Sequence, residues 1–324
     1  MQSPTISGIT SHGAGRVCPL RYVYGANTIA TAPVRTAQTL YVVGGLYGNL
    51  QALDSLEAMA NAEAQPATLC FNGDFNWFNI SDENFAEINR RVLSHDAILG
   101  NVEAEFDAPT HEAGCGCAYP PSVGGDVVER SNRIHARLRA TATRHPEIRS
   151  QLSRLPMVAR YTVAQCRVGV VHGDAESLAG WRFDTHEMNA PQAWPWLQQM
   201  FDAAAVDVFT STHTCLPALR GLEKTSGTTG WIANNGAAGM PNFTGDPRGL
   251  VTRIGIAPSP HETLREVCVA GAYLSLLPVR FDATRWQADF VRQWPPGSDA
   301  WVSYFQRISE GPAFEVGRAL MSPL

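Results

Sequence analysis

The chain has 324 residues, 44% hydrophobic and 17% charged, with a net charge of −5. That balance belongs to a globular protein with a sizeable core and excludes a disordered or collagen-like chain. Lys224 is the only lysine, no basic run stands out, and no apolar run approaches the roughly 18 residues of a spanning helix. Neither a nucleic-acid partner nor a membrane is therefore expected.

Length alone allows two domains, although an α/β enzyme of this size is often one domain with insertions. The first twenty residues, MQSPTISGITSHGAGRVCPL, contain no apolar stretch, so no signal peptide is expected and the compartment is read as cytoplasmic. Seven scattered cysteines fit reduced thiols or ligands better than a disulfide framework.

In chain order, residues 1–38 read as an N-terminal arm rich in small residues, with one strand around 21–24. Residues 39–43 (TLYVV) form a buried strand bounded by Gly44-Gly45. Residues 49–64 follow as a helix with Leu50, Leu53, Leu56 and Met59 on one face. The unit repeats: a strand at 67–71 ends in Asn72-Gly73-Asp74, an amphipathic helix covers 83–93, and a short strand at 97–99 ends in Gly100-Asn101. Strands alternating with helices predict an α/β sheet carrying its site at the carboxyl edge.

Residues 102–155 break this rhythm and read as an insertion over the site. It holds Cys115-Gly116-Cys117 and a long helix from 126 to about 144. Strands follow at 157–163 and 167–171, the second ending in His172-Gly173. An aromatic-rich helix spans 191–205, and a strand at 206–210 leads into Ser211-Thr212-His213-Thr214-Cys215. The texture then becomes antiparallel, with strands at 218–222, 230–234, 250–256 and 270–279. The domain reading is an arm (1–38), a main domain (39–279) and a C-terminal tail (280–324) with helices at 284–294 and 299–308 packed on it.

Four strand ends deliver Asp74, Asn101, His172 and His213. One carboxylate, one amide oxygen and two imidazoles make a shell suited to a divalent transition metal, Mn, Fe, Zn or Ni, at least one per chain. Taken singly, each has a structural alternative: a buried histidine satisfied in the core, or an aspartate capping a helix.

The order GGLYGN, NGD, GNVE, VVHGD, THTCLP and NNGAAGMP resembles the motif order of calcineurin-like metallophosphoesterases across residues 42–242. The resemblance implies a four-layer α/β/β/α sandwich, here with a helical insertion and C-terminal helices. It also implies one metal held by His172, His213 and Asn101, with Asp74 in the position that bridges two ions. The family's other ion is held at positions that are Gly45, Tyr47 and Cys215 here, and its usual proton donor falls on Val102. One half-site is therefore complete and the other rewritten. Asn101, His172 and Tyr47 are the residues through which this resemblance assigns catalysis.

Cys215 is open to two readings, a thiolate ligand or a buried filler. Cys115 and Cys117 are either a tight turn, a redox pair, or partners of Cys215 in a sulfur-rich second site. Tyr47 either packs or reaches a phosphate oxygen. Glu103 is read as a solvated strand-end carboxylate with proton donation as the alternative. Asn49 and Asn235 are read as loop-shaping, His111 and His186 as surface residues, and Trp181, Trp194 and Trp196 as core. The functional expectation is a metal-dependent phosphoesterase acting on a small phosphate monoester or diester. Its alternatives are an impaired or repurposed metal- or ligand-binding relative, or hydrolysis at a non-phosphate centre.

Overall fold

A computed structural model describes residues 13–320; residues 1–12 of the arm and 321–324 of the tail lie outside the described residues. The arm is more structured than its composition suggests. Pro19 opens a 3-10 turn over Leu20–Tyr22, closed by the Tyr22 N–H on the Pro19 carbonyl. Where a strand is expected around residues 21–24, only Val23 makes a bridge, to Ser177. Helix α1 (Ala26–Thr31) and strand β1 (Val34–Thr36) follow. Both are too short to leave a periodic signal.

Strand β2 (Thr39–Val43) is buried throughout. Helix α2 (Leu50–Asn61) begins at Asn49, whose side chain accepts from the Ala52 N–H. Strand β3 (Ala67–Phe71), helix α3 (Asp82–Val92), capped by Ser81, and strand β4 (Asp96–Ala97) complete the first repeats. The insertion supplies α4 (Asn101–Ala104), α5 (Gly125–Arg144) and α6 (Pro146–Leu152). Next come β5 (Val158–Val163), β6 (Cys166–Val171), α7 (Thr185–Asn189), α8 (Trp194–Ala204) and β7 (Val208–Ser211). Strands β8 (Pro217–Glu223), β9 (Thr229–Asn235), β10 (Gly249–Gly255), β11 (Arg265–Val269) and β12 (Ala272–Val279) precede helices α9 (Ala283–Gln293), α10 (Asp299–Glu310) and α11 (Val316–Ala319).

The strands form two six-stranded mixed sheets, ordered β1-β5-β6-β7-β9-β8 and β11-β12-β10-β2-β3-β4. The late strands, expected as one antiparallel stretch, are divided between the two sheets. β9 pairs parallel with β7, whereas β10 pairs antiparallel with β2, so the chain changes sheets between residues 235 and 249. The single strand expected at 270–279 is a hairpin of β11 and β12. Ala270 and Gly271, both at positive φ (46° and 78°), form a two-residue turn that matches strand twist.

Alternation in the strands makes the four layers. Leu40 and Val42 of β2 meet Tyr161, Val163, Val168 and Val170 of the other sheet in the central core. Tyr41 and Val43 point outward beneath α2, α3, α5, α9 and α10. On the far side, Val171, Phe209, Ala218 and Ile232 pack under α1 and α8.

The lone lysine is buried in this frame. Lys224 Nζ lies 2.7 Å from Asp207 Oδ1, and Arg167 pairs with the same carboxylate at 2.9 Å. Burial pushes the Asp207 carboxyl up, but hydrogen bonds from Arg167 and Lys224 outweigh it and hold it well below the ordinary range. Its contribution is thus present above the unfolded-state pKa of about 3.9 and lost as pH falls below it. Asp207→Asn should cost about 3 kcal/mol at neutral pH, the lower end for breaking a buried pair. In denaturant titrations the difference from the parent should shrink as pH falls below about 4.

Candidate metal centre

The site straddles the two sheets. Asp74 follows β3 and Asn101 follows β4; His172 follows β6 and His213 follows β7. Asn72 staples the halves together: its Nδ2 donates to the Val171 carbonyl at 2.9 Å, and its own carbonyl accepts from His172 Nδ1 at 2.8 Å. Two glycines permit the approach. A Cβ on Gly73 (φ +94°) would sit 2.4 Å from Gly100 Cα, and one on Gly100 would sit 2.3 Å from Asp74 Oδ1. Asp74 itself has φ +55°, a conformation that costs energy and persists where the surroundings hold it.

Each of the four side chains is oriented by one hydrogen bond that leaves a lone pair facing inward. Asp74 Oδ1 accepts from the Val102 N–H at 3.1 Å. Asn101 Nδ2 donates to the Cys115 carbonyl at 2.9 Å, which turns Oδ1 toward His172. His172 Nδ1 is engaged by Asn72, and His213 Nε2 by the Cys117 carbonyl at 3.1 Å. These bonds fix the neutral tautomers with His172 Nε2 and His213 Nδ1 bare.

The inward atoms are close. From His172 Nε2, Asn101 Oδ1 lies at 3.0 Å, His213 Nδ1 at 3.2 Å and Asp74 Oδ2 at 3.4 Å. Metal bonds of about 2.0–2.1 Å imply a tetrahedral ligand–ligand edge of about 3.3 Å. A proton on His172 serves only one of these three contacts, whereas a divalent cation serves all four donor atoms. The donor set therefore fits a metal. Among the described residues, Asp74, His172 and His213 are the one His/Cys/Asp/Glu group with ligand atoms all within 4.8 Å of one another.

Electrostatics follow from burial and proximity. Burial raises the Asp74 carboxyl, but the His172 charge outweighs it and the net shift is downward. Burial lowers His172, yet Asp74 carries it above its ordinary value. Burial, then His172, push His213 down to about 3. Glu103 is buried rather than solvated, correcting the sequence reading. It accepts from the N–H groups of Asp74 (2.8 Å) and Asn76 (3.1 Å), and burial with the Asp74 charge pushes it up to about 7. Its place is behind the Asp74 turn, as a support. His135, held at about 4 by burial, contacts the Val102 carbonyl through Nε2 at 3.0 Å.

The rewritten half is filled by protein. Tyr47 (φ +56°) is buried, and its Oη lies 3.0 Å from Cys215 Sγ. A Cβ on Gly45 would sit 3.0 Å from Tyr47 Cζ and Oη, so the tyrosine ring occupies the space an aspartate at 45 would need. Burial pushes the Cys215 thiol up, and its sulfur does not join the Asp74–His172–His213 group. Val102 contributes its N–H and carbonyl rather than a side-chain donor.

The Cys-Gly-Cys loop lies over the site and contacts Asn101 and His213 through its carbonyls. The sulfurs of Cys115 and Cys117 are bonded to each other, so no sulfur-rich site with Cys215 is assembled, and this pair departs from the expectation of reduced thiols. Above the donors is a narrow chamber of about 50 Å³, lined by Tyr47, Trp77, Tyr119, Trp181 and Tyr304 with Cys117 and Cys215. Trp181, expected in the core, stands edge-on to His213 with ring centroids 5.1 Å apart. Trp194 is 37% exposed and Trp196 packs on Phe183; neither reaches the chamber. Tyr304 and Arg307 come from α10, which nothing local in the sequence marks as functional. Arg307 Nη2 donates to the Cys215 carbonyl at 2.6 Å. His111 and His186 are exposed and bonded to Arg139 and Arg318. Asn235 Nδ2 ties the Gly44 and Leu250 carbonyls together.

Solved structures share this architecture. A metallophosphoesterase from Sphaerobacter thermophilus is 17% identical, covering 85% of this chain and 100% of its own, with a TM-score of 0.51. A hypothetical protein from Pyrococcus horikoshii OT3 is 13% identical, covering 87% and 100%, with a TM-score of 0.52. The chain has the calcineurin-like metallophosphoesterase fold. No protein-family model and no curated protein matches the sequence. The described residues contain no helix long and apolar enough to cross a membrane.

The geometry of the donor side chains depends on the Gly73–Gly100 approach. Gly100→Ala drives a methyl group into the Asp74 carboxylate and N–H. It should leave far-ultraviolet circular dichroism near the parent's while weakening Mn²⁺ or Zn²⁺ binding about 10–100-fold, the range seen when ligand-supporting contacts are lost. Calorimetric titration measures it.

Proposed function

We propose that the protein is a metal-dependent phosphoesterase, using one divalent ion held by Asp74, Asn101, His172 and His213 to hydrolyse a small phosphate ester. The observation that carries the reading is the convergence of four oriented lone pairs from two sheets, with those of Asn101, His213 and Asp74 lying 3.0–3.4 Å from His172 Nε2. Bound there, the ion supplies Lewis acidity and an acidified water. The protein's own groups do the rest. The Cys115 and Cys117 carbonyls hold Asn101 and His213 in register. Glu103 fixes the strained Asp74 turn, and the chamber limits access of bulk water. Tyr47 is assigned to shaping the chamber and presenting its hydroxyl, not to holding metal.

A second reading, a metal- or ligand-binding relative without turnover, draws on the Tyr47–Cys215 contact that fills the other half-site. Fold alone does not decide between the two.

Metal analysis of purified protein and turnover of generic phosphate mono- and diesters separate them. One ion per chain with ester hydrolysis fits the proposal; one ion without hydrolysis fits the second reading. His172→Ala and His213→Ala should each empty the site, and Tyr47→Phe should retain the ion. If Cys215→Ser lowers the count from two ions to one, the thiol belongs to a second metal. Retention of metal by His172→Ala would overturn the proposed centre.

A further inference from the structure

We infer that the site is built for monoanionic phosphodiesters carrying an apolar or aromatic ester group, and discriminates against dianionic phosphomonoesters. The inference rests on the metal-dependent reading above and adds the substrate class.

Charge is the first argument. A divalent ion on Asp74, Asn101 and two neutral imidazoles would leave a balance of one positive charge at the donors. No arginine or lysine is among the residues lining the chamber. Arg307 is not part of the lining; its guanidinium donates to the carbonyls of Cys215 and Pro241, at 2.6 and 3.3 Å, and keeps its charge behind the Cys215 turn. A phosphodiester carries one negative charge and is neutralised by this site. A monoester above its second pKa of about 6 carries nearly two, leaving an uncompensated charge beside largely apolar walls, which is costly.

Shape is the second. The chamber is small, about 50 Å³, and its walls beyond the donors are aromatic. Ester groups on a phosphoryl group at the donors would therefore lie along these walls. Trp181 and Tyr119 pack at a tilt with ring centroids 5.9 Å apart, and Trp77 and Tyr304 stand edge to face at 6.3 Å. Such rings favour apolar and aromatic groups. Gly45 brings no charge to this side of the chamber, and the Tyr47 ring against it adds apolar surface.

Hydrolysis of such a diester adds one water across one P–O ester bond. Oxygen from water joins phosphorus, the ester oxygen leaves with a proton as alcohol or phenol, and a phosphomonoester remains. That product, once doubly ionised, meets the charge deficit its precursor avoided and is released.

The test is binding to the Mn²⁺-loaded full-length protein, read by tryptophan fluorescence and calorimetry, since Trp77 and Trp181 line the chamber. At about pH 8, diphenyl phosphate should bind roughly tenfold or more tightly than phenyl phosphate. The gap should narrow at about pH 5, where phenyl phosphate regains a proton. Tyr304→Leu should weaken diphenyl phosphate binding several-fold without changing the metal count, and dimethyl phosphate should be insensitive to it. Equal or tighter binding of phenyl phosphate at about pH 8, or binding of neither ester by protein that holds its ion, overturns the inference and leaves the metal centre standing. Protein that takes up no Mn²⁺ removes the metal-dependent reading and this inference together.

Discussion

Two sheets meet at a point where a carboxylate, an amide oxygen and two imidazole nitrogens turn their lone pairs toward one another. Such an arrangement is repulsive unless positive charge sits among them, and the surrounding structure works to keep it. Backbone at positive φ carries Asp74 inward. Glycines at 73 and 100 remove the side chains that would hold the strand ends apart. Asn72 crosses from one sheet to the other and sets the His172 ring. Each device costs stability locally, through strain, lost side chains or buried polar groups, and is offset by the two apolar cores on either side of β2.

The same constraint explains the lid. Asn101 and His213 come from different sheets, yet both are oriented by carbonyls two residues apart, at Cys115 and Cys117. A loop that holds both side chains must lie over them, so the cover of the site and the support of its donors are one segment. The C-terminal helix α10 closes the other side, with Tyr304 in the wall and Arg307 clasping the Cys215 turn. Insertion and tail are thereby coupled to the centre through backbone carbonyls, contacts that no side-chain motif advertises.

One side of the chamber is closed by protein. Gly45 stands at φ +64° with the Tyr47 ring against it. With the tyrosine hydroxyl against Cys215, this side is aromatic with a single thiol. A lone ion in such surroundings has less charge to neutralise and a drier environment in which its charge acts more strongly.

Much of this was legible in the sequence. Short β-forming runs ending in Asn-Gly-Asp, Gly-Asn, His-Gly and Thr-His-Thr fix strand ends by local chemistry, so the α/β class and the four donors Asp74, Asn101, His172 and His213 could be named from order and spacing. The helices at 50–61 and 283–293 followed from apolar periodicity and their capping residues. What remained hidden is non-local. The assignment of β8 and β9 to one sheet and β10 to β12 to the other depends on pairing partners from 23 to 216 positions away in the chain, and strand pattern carries no record of its partner. The burial of Glu103, the edge-on stance of Trp181 and the arrival of Tyr304 depend on how distant elements stack. Ligand identity is a local property, written at strand ends; ligand orientation and the character of the chamber belong to the packing of two sheets, an insertion and a tail, which only the tertiary structure decides.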